Sequence, residues 1–160
     1  MTLNSDISLT EMVTALRNSD IGEGLDDRIL TRIAQVTNTL SLAKGDALTE
    51  VGIEGHHAYI LMQGSIEVQL SESENENEAN SRMLYPGAII GEMSILESHR
   101  RAARTVAAEP CMLLCFEDEA LWSLFEMEPA AGYHFMRNIA RILSRRLRTT
   151  NLAIRHGFFL

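Results

Sequence analysis

No apolar run in this sequence approaches the ~20 residues needed to span a bilayer. The first twenty residues, Met1 to Asp20, are polar and lack the basic-then-apolar order of a secretory leader. A membrane span is therefore not expected, and the cytoplasm is the expected compartment. Cysteine is equally scarce. Cys111 and Cys115 are the only two, which suits a reducing environment. They stand four apart in an apolar stretch, so on a strand both point to one face and read as small core residues. The alternative, a metal or redox pair, has no further cysteine and no suitably spaced histidine to build on. His56-His57 likewise has no third ligand nearby. A nucleophile–base pair and a second carboxylate suited to a pocket are also lacking, so an enzyme is not expected. Finally, acid is missing from the last part of the chain. After Glu128 there is no Asp or Glu, yet Arg137, Arg141, Arg145, Arg146, Arg148 and Arg155 all lie there. The net charge of −8 excludes a general nucleic-acid binder all the same.

What is present is a chain of 160 residues, 46% apolar and 22% charged, enough for one domain over 1–160 with a real core. Residues 1–37 read as helices: Leu9, Met12, Val13 and Leu16 recur at helical spacing, then Leu25, Ile29, Ile33 and Val36. Gly22 and Gly24 separate the two, and Asp26 is placed to cap the second. Residues 38–117 change to short alternating segments with glycine turns. Strands are expected over 47–51, 59–62, 66–70, 83–85, 105–108 and 112–116, with turns at Gly45, Gly52 to Gly55, Gly64 and Pro86-Gly87. Ser71 to Asn80 is low-complexity Ser, Glu and Asn, which predicts a solvated acidic loop. The pattern is that of a mainly β fold, an antiparallel jelly-roll-like β-roll with flanking helices. Residues 118–160 return to helix. Glu117 or Asp118 is placed to cap one helix, and Pro129 suits the first turn of a long one running to about Arg155. Trp122, Phe125 and Phe135 read as core.

Along the long helix, Met136, Ala140, Leu143, Leu147, Thr150 and Ile154 step by 4, 3, 4, 3, 4, which is heptad spacing. The expectation is a homodimer seam. The alternative is a helix packed only on its own domain, since the repeat covers under three heptads.

The chemistry is concentrated in Gly91-Glu92-Met93-Ser94-Ile95-Leu96 and the returning Arg101-Ala102-Ala103. A ringed phosphodiester needs free backbone N–H groups and an arginine, which stays charged and bonds two oxygens at once. Its ribose hydroxyl needs an acceptor, and a carboxylate serves. The motif alone is short, but its surroundings are ordered. Gly45-Asp46, Gly52 seven later and Gly64 twelve after that follow in order, Gly64 within the hairpin Tyr59 to Val68, and Pro86-Gly87-Ala88-Ile89-Ile90-Gly91-Glu92 comes after them. On these residues the chain, from Leu25 to Asn151, resembles the cyclic-nucleotide-binding domain family.

The resemblance implies a β-roll that holds a cyclic mononucleotide. It assigns Glu92 to the ribose 2′-hydroxyl, Arg101 to the cyclic phosphate, and the backbone N–H of Ala102 to the same phosphate. Gly91, Met93, Ser94 and Ala103 belong to the phosphate cassette. Thr150 and Asn151 fall where members with a long C-terminal helix use polar side chains against adenine. Ala102 lacks the hydroxyl that often accompanies cGMP preference, so cAMP is expected and cGMP left open. Arg104 stands where many members have Thr or Ser, and His99-Arg100 replaces a frequent proline; Arg100 and Arg104 read as surface charges. The sequence after the long helix is too short for an appended helix-turn-helix, so no DNA-binding domain is expected. Output should pass to an effector protein. Two alternatives stay open at this stage. Glu92 and Arg101 pair only with each other, as a structural ion pair, or the roll binds nothing and the chain is an interaction module that dimerises and recruits a partner through its Arg-rich helix.

Overall fold

A computed structural model of the chain describes residues 2–3, 7–69, 81–96 and 99–155. Two central strands, β5 (His57–Gln63) and β11 (Cys111–Glu117), pair antiparallel and show why the molecule has two cores. Side chains alternate across a strand. Tyr59 and Leu61 of β5, with Cys111, Leu113 and Cys115 of β11, face one interior. Ala58 and Ile60, with Leu114 and Phe116, face the other.

The first interior lies between two sheets. One has the strand order β1 (Thr2–Leu3), β2 (Thr37–Leu42), β11, β5, β8 (Ile89–Ile90). The other runs β3 (Ala47–Thr49), β10 (Arg104–Ala107), β6 (Ile66–Gln69), β7 (Ser81–Leu84). A third pairing joins β4 (Glu54–Gly55) to β9 (His99–Arg100). All pairings are antiparallel, as expected for a roll. Cys111 and Cys115 are buried in this inter-sheet core as free thiols.

The second interior lies between the larger sheet and the helices. These are α1 (Leu9–Arg17), α2 (Asp27–Gln35), α4 (Asp118–Met127) and α5 (Pro129–Arg155), while the single-turn α3 (Met93–Leu96) sits at the end of β8. Asp26 caps α2 by accepting from the Ile29 N–H, and Ser8 caps α1 in a reciprocal capping box with Glu11. Glu117 precedes α4 without a side-chain cap bond. Arg28 bonds both oxygens of Glu128 at 2.9 Å and so ties α2 to the α4–α5 junction.

Two expectations need correction. The two-residue strands β1, β4, β8 and β9 were not anticipated, because alternation cannot show over two positions; β4 occupies part of the expected Gly52 to Gly55 turn, and β1 lies within the expected helical segment. Trp122 is not core but 42% exposed. Leu121, Leu124 and Phe125 already fill the buried face of α4, and Trp122 lies about 100° round the helix from Leu121. The acidic stretch Ser71 to Asn80 lies outside the described residues. No helix among the described residues is long and apolar enough to cross a membrane.

Helix α5 has two distinct faces. Ala131, Phe135, Asn138, Ile139 and Ile142 are buried against the domain. The heptad positions run along the edge of that face: Met136 and Leu143 are half-buried and pack against the helical core, while Ala140, Leu147 and Thr150 are exposed. The side chain of Ile154 is not among those described.

Candidate functional site

The cassette is built around one arginine. Pairing of β4 with β9 sets Gly55 opposite His99 and Glu54 opposite Arg100. Arg101 therefore begins a new course with its backbone already fixed. Its N–H donates to the Ile53 carbonyl at 2.9 Å, and its own carbonyl accepts from the Gly52 N–H at 2.9 Å. The side chain turns inward between two glycines. A Cβ placed on Gly55 would lie 2.1 Å from Arg101 Nε, and one on Gly91 would lie 2.1 Å from Nη1. Gly91 also has φ of +72°, a left-handed turn that other residues adopt only at a cost. A side chain at either glycine would displace the guanidinium, and at Gly91 it would also meet a strained backbone.

Arg101 Nη1 donates to Ser94 Oγ at 2.9 Å and Nη2 to the His57 carbonyl at 2.6 Å. Both acceptors are neutral. No carboxylate among the described residues bonds this guanidinium, so its charge has no direct counter-ion. Ser94 is buried on α3, Met93 beside it is 48% exposed, Ala102 is exposed and Ala103 half-buried. The Ala103 carbonyl accepts from Thr49 Oγ1 at 3.1 Å, which holds the departing strand.

Glu92 follows Gly91 and is 3% exposed. It does not pair with Arg101. Its Oε1 accepts from Nη1 of Arg146, which reaches down from α5, and Arg146 Nη2 donates to the Ile89 carbonyl at 2.8 Å. The ion-pair alternative is corrected accordingly: the partner of Glu92 is Arg146. Its second oxygen, Oε2, has no hydrogen bond among the described residues. Arg82 on β7 lies near enough to feel both charges. Burial and the neighbouring Arg146 guanidinium lower its pKa from the usual arginine value, against the opposing pull of Glu92.

The structure thus brings Gly91, Glu92, Ser94 and Arg101 together, with Met93, Ala102 and Ala103 along the rim. Thr150 and Asn151 lie one turn beyond Arg146 on α5, exposed and without a hydrogen bond to the cassette. Arg104, half-buried, is held by Glu50 at 3.0 Å and by Gln69 at 3.1 Å, a structural role on the strand. Arg100 is exposed. Two participants were not legible in the sequence. The His57 contribution is a backbone carbonyl, which leaves no side-chain signal. Arg146 was one of six arginines, distinguished only by standing one helical turn before Thr150.

The arrangement offers a cation that no carboxylate among the described residues bonds directly, a hydroxyl beside it, and a buried carboxylate with one oxygen that makes no hydrogen bond among those residues. Known proteins resemble this chain in sequence and in fold. The sequence pattern of the cyclic nucleotide-binding domain matches residues 39–128. The cyclic AMP receptor protein of Thermus thermophilus is 29% identical over 111 residues, covering 69% of this chain and 49% of that protein. Glutaminase 2 of Bradyrhizobium diazoefficiens is 27% identical over 130 residues, 81% of this chain but 20% of that protein. The chain thus spans a fifth to about half the length of these curated relatives. A solved cyclic nucleotide-binding domain from Methylobacillus flagellatus superposes with a TM-score of 0.77 at 18% identity, over 93% of this chain and 83% of that one. With its pattern matched over more than half its length, and with the cassette folded round Arg101, this chain belongs to the cyclic nucleotide-binding domain family.

Proposed function

We propose that the chain is a sensor of a cyclic mononucleotide, cAMP first and cGMP second, that performs no reaction of its own and works in the cytoplasm. The observation that carries the reading is the state of Arg101. A half-buried guanidinium is locked by two neutral acceptors and two glycine backbones, and no acid among the described residues bonds it. Leaving a charge in that state is costly unless an anion completes it. A cyclic phosphate supplies one charge and two oxygens for bidentate pairing.

Glu92 then takes the ribose 2′-hydroxyl on Oε2, while Arg146 holds Oε1 and fixes the carboxylate. On this reading the base points toward α5, and Thr150 and Asn151 read it. Occupancy shifts the position of α5, since ligand favours whichever helix position it bonds best. The seam of Leu143 and Leu147 makes a homodimer, and an effector protein receives the signal. The receptor of Thermus is named for cyclic AMP, which supports the choice of base.

A second reading has one observation in its favour. Glu92 is already claimed by Arg146, so the roll could stand closed and serve only as a dimerising module. Calorimetric titration with cAMP, cGMP and cyclic dinucleotides separates the two. Binding of a cyclic mononucleotide at one site per chain is expected. No heat and no thermal shift with any of them would leave only the interaction module.

A further inference from the structure

The charge on α5 has a use that nucleotide binding does not absorb. Arg137, Arg141, Arg145 and Arg148 stand 4, 4 and 3 residues apart, which sets them on one face of the helix. They line a groove of about 420 Å³ between α5 and the turn that follows α1. That turn is fixed from beneath. Asn138, 1% exposed, donates from Nδ2 to the carbonyls of Ile21 and Glu23 at 2.7 Å each.

The turn supplies two carboxylates to the middle of the row. Arg141 bonds Glu23 at 2.6 Å and Arg145 bonds Asp20 at 2.8 Å. The outer two, Arg137 and Arg148, are exposed and have no hydrogen bond or ion pair among the described residues. The groove therefore holds four guanidiniums against two carboxylates. Nothing on the helix balances the excess, since its 27 residues include no acid.

We propose that this groove docks a short acidic peptide segment of a partner protein. Successive arginines four apart on a helix rise by roughly 6 Å. Alternate side chains of an extended peptide are spaced by roughly 6.5–7 Å, and they can follow such a row. Glu23 and Asp20 already show that the row accepts carboxylates. An acidic peptide would engage the two unclaimed ends. A long polyphosphate would meet the chain's net charge of −8 along its whole length, whereas a short peptide meets only the local excess. The proposal deepens the sensor reading by giving it an output surface, and it rests on that reading only for the link to nucleotide. Arg146 on the same helix holds Glu92, so a change in the helix position is felt at both places, and coupling between them is reciprocal.

The test uses a fluorescein-labelled peptide of alternating Glu and Ser, read by anisotropy at low ionic strength. The wild-type chain should bind it. Arg137→Ala with Arg148→Ala should weaken that binding by roughly fivefold or more, two exposed charge pairs being lost. Calorimetry should show cAMP affinity unchanged in the same variant. Failure of the peptide to bind, or equal binding to the variant, overturns the proposal. So does equally tight binding of an oligothymidylate or of phosphatidylserine vesicles. If the peptide binds as expected while no cyclic nucleotide does, the sensor reading falls and the docking groove stands.

Discussion

Arg101 is positioned by more constraints than its own packing needs. Its backbone is bonded on both sides, its side chain passes two glycines, and its head meets a serine hydroxyl and a carbonyl. Arg101→Ala should keep the fold and weaken nucleotide binding by roughly 2–5 kcal/mol, the range for removing one partner of a desolvated charge pair. Calorimetry beside a thermal melt checks both halves, and unchanged affinity would remove the assignment. The buried thiols give a second test. Burial, with the Glu117 carboxylate nearby, pushes the Cys115 pKa up to about 11, and burial raises that of Cys111 as well. Below such values the neutral thiol dominates, and the thiol is a poor nucleophile. At about pH 8 a disulfide reagent should react slowly with the native protein and quickly once it is unfolded in urea; two fast thiols in the native state would contradict the burial. At this scale the sequence was legible where a residue type carries the chemistry. Glu92 and Arg101 stood out because carboxylate and guanidinium have few substitutes. Arg146 did not, because its role comes from where α5 crosses β8, which no local pattern records.

Among the elements, α5 has the most separate tasks. One face closes the helical core through Phe135, Ile139 and Ile142, with half-buried Leu143 packed at its edge; the 60% exposed Leu147 lies outside that core. Burying a leucine contributes roughly 1.5–3 kcal/mol, so two in a symmetric seam can hold a dimer. Leu143→Glu with Leu147→Glu should give a monomer, because like charges would then face each other across the axis. Light scattering reads the outcome, and a double variant that stays dimeric places the seam elsewhere. Thr150→Ala should weaken cAMP by about 0.5–1.5 kcal/mol, the scale of one hydrogen bond, and should matter less for a ligand without the adenine amino group. Equal loss for every nucleotide, or none, would show that the helix does not read the base. The limits of α5 were legible because Pro129 and the helical apolar period mark them. The strand pairs β4–β9 and β5–β8 were not. Their register comes from long-range pairing, and two residues are too few to show a period.

Across the whole molecule, Arg146 is a cross-tie between layers. It joins α5 to the Glu92 carboxylate and to the β8 backbone at Ile89. Arg146→Ala should lower stability by about 1–3 kcal/mol, because Glu92 keeps its burial and loses a donor. A chemical denaturation series measures this, and an unchanged midpoint would show that the tie carries no stability. The division into N-terminal helices, roll and C-terminal helices was readable from the change of period along the chain. The sharing of one sheet by two interiors was not, since a strand buried on both faces loses the alternation that would have announced it.

That shared sheet also decides what a working fragment can be. A chain cut after Glu117 would keep Gly91, Glu92, Ser94 and Arg101, but it would lose Arg146, which holds Glu92. It would also leave Ala58, Ile60, Ile89, Leu114 and Phe116 with water where α4 and α5 had been. Those side chains alternate with the ones that shape the roll, and His57, whose carbonyl holds Arg101, begins the same strand. The site therefore cannot be excised from its helices. The smallest unit that keeps the cassette in shape thus includes α4 and α5, and on the sensor reading that is also the unit that would report a ligand.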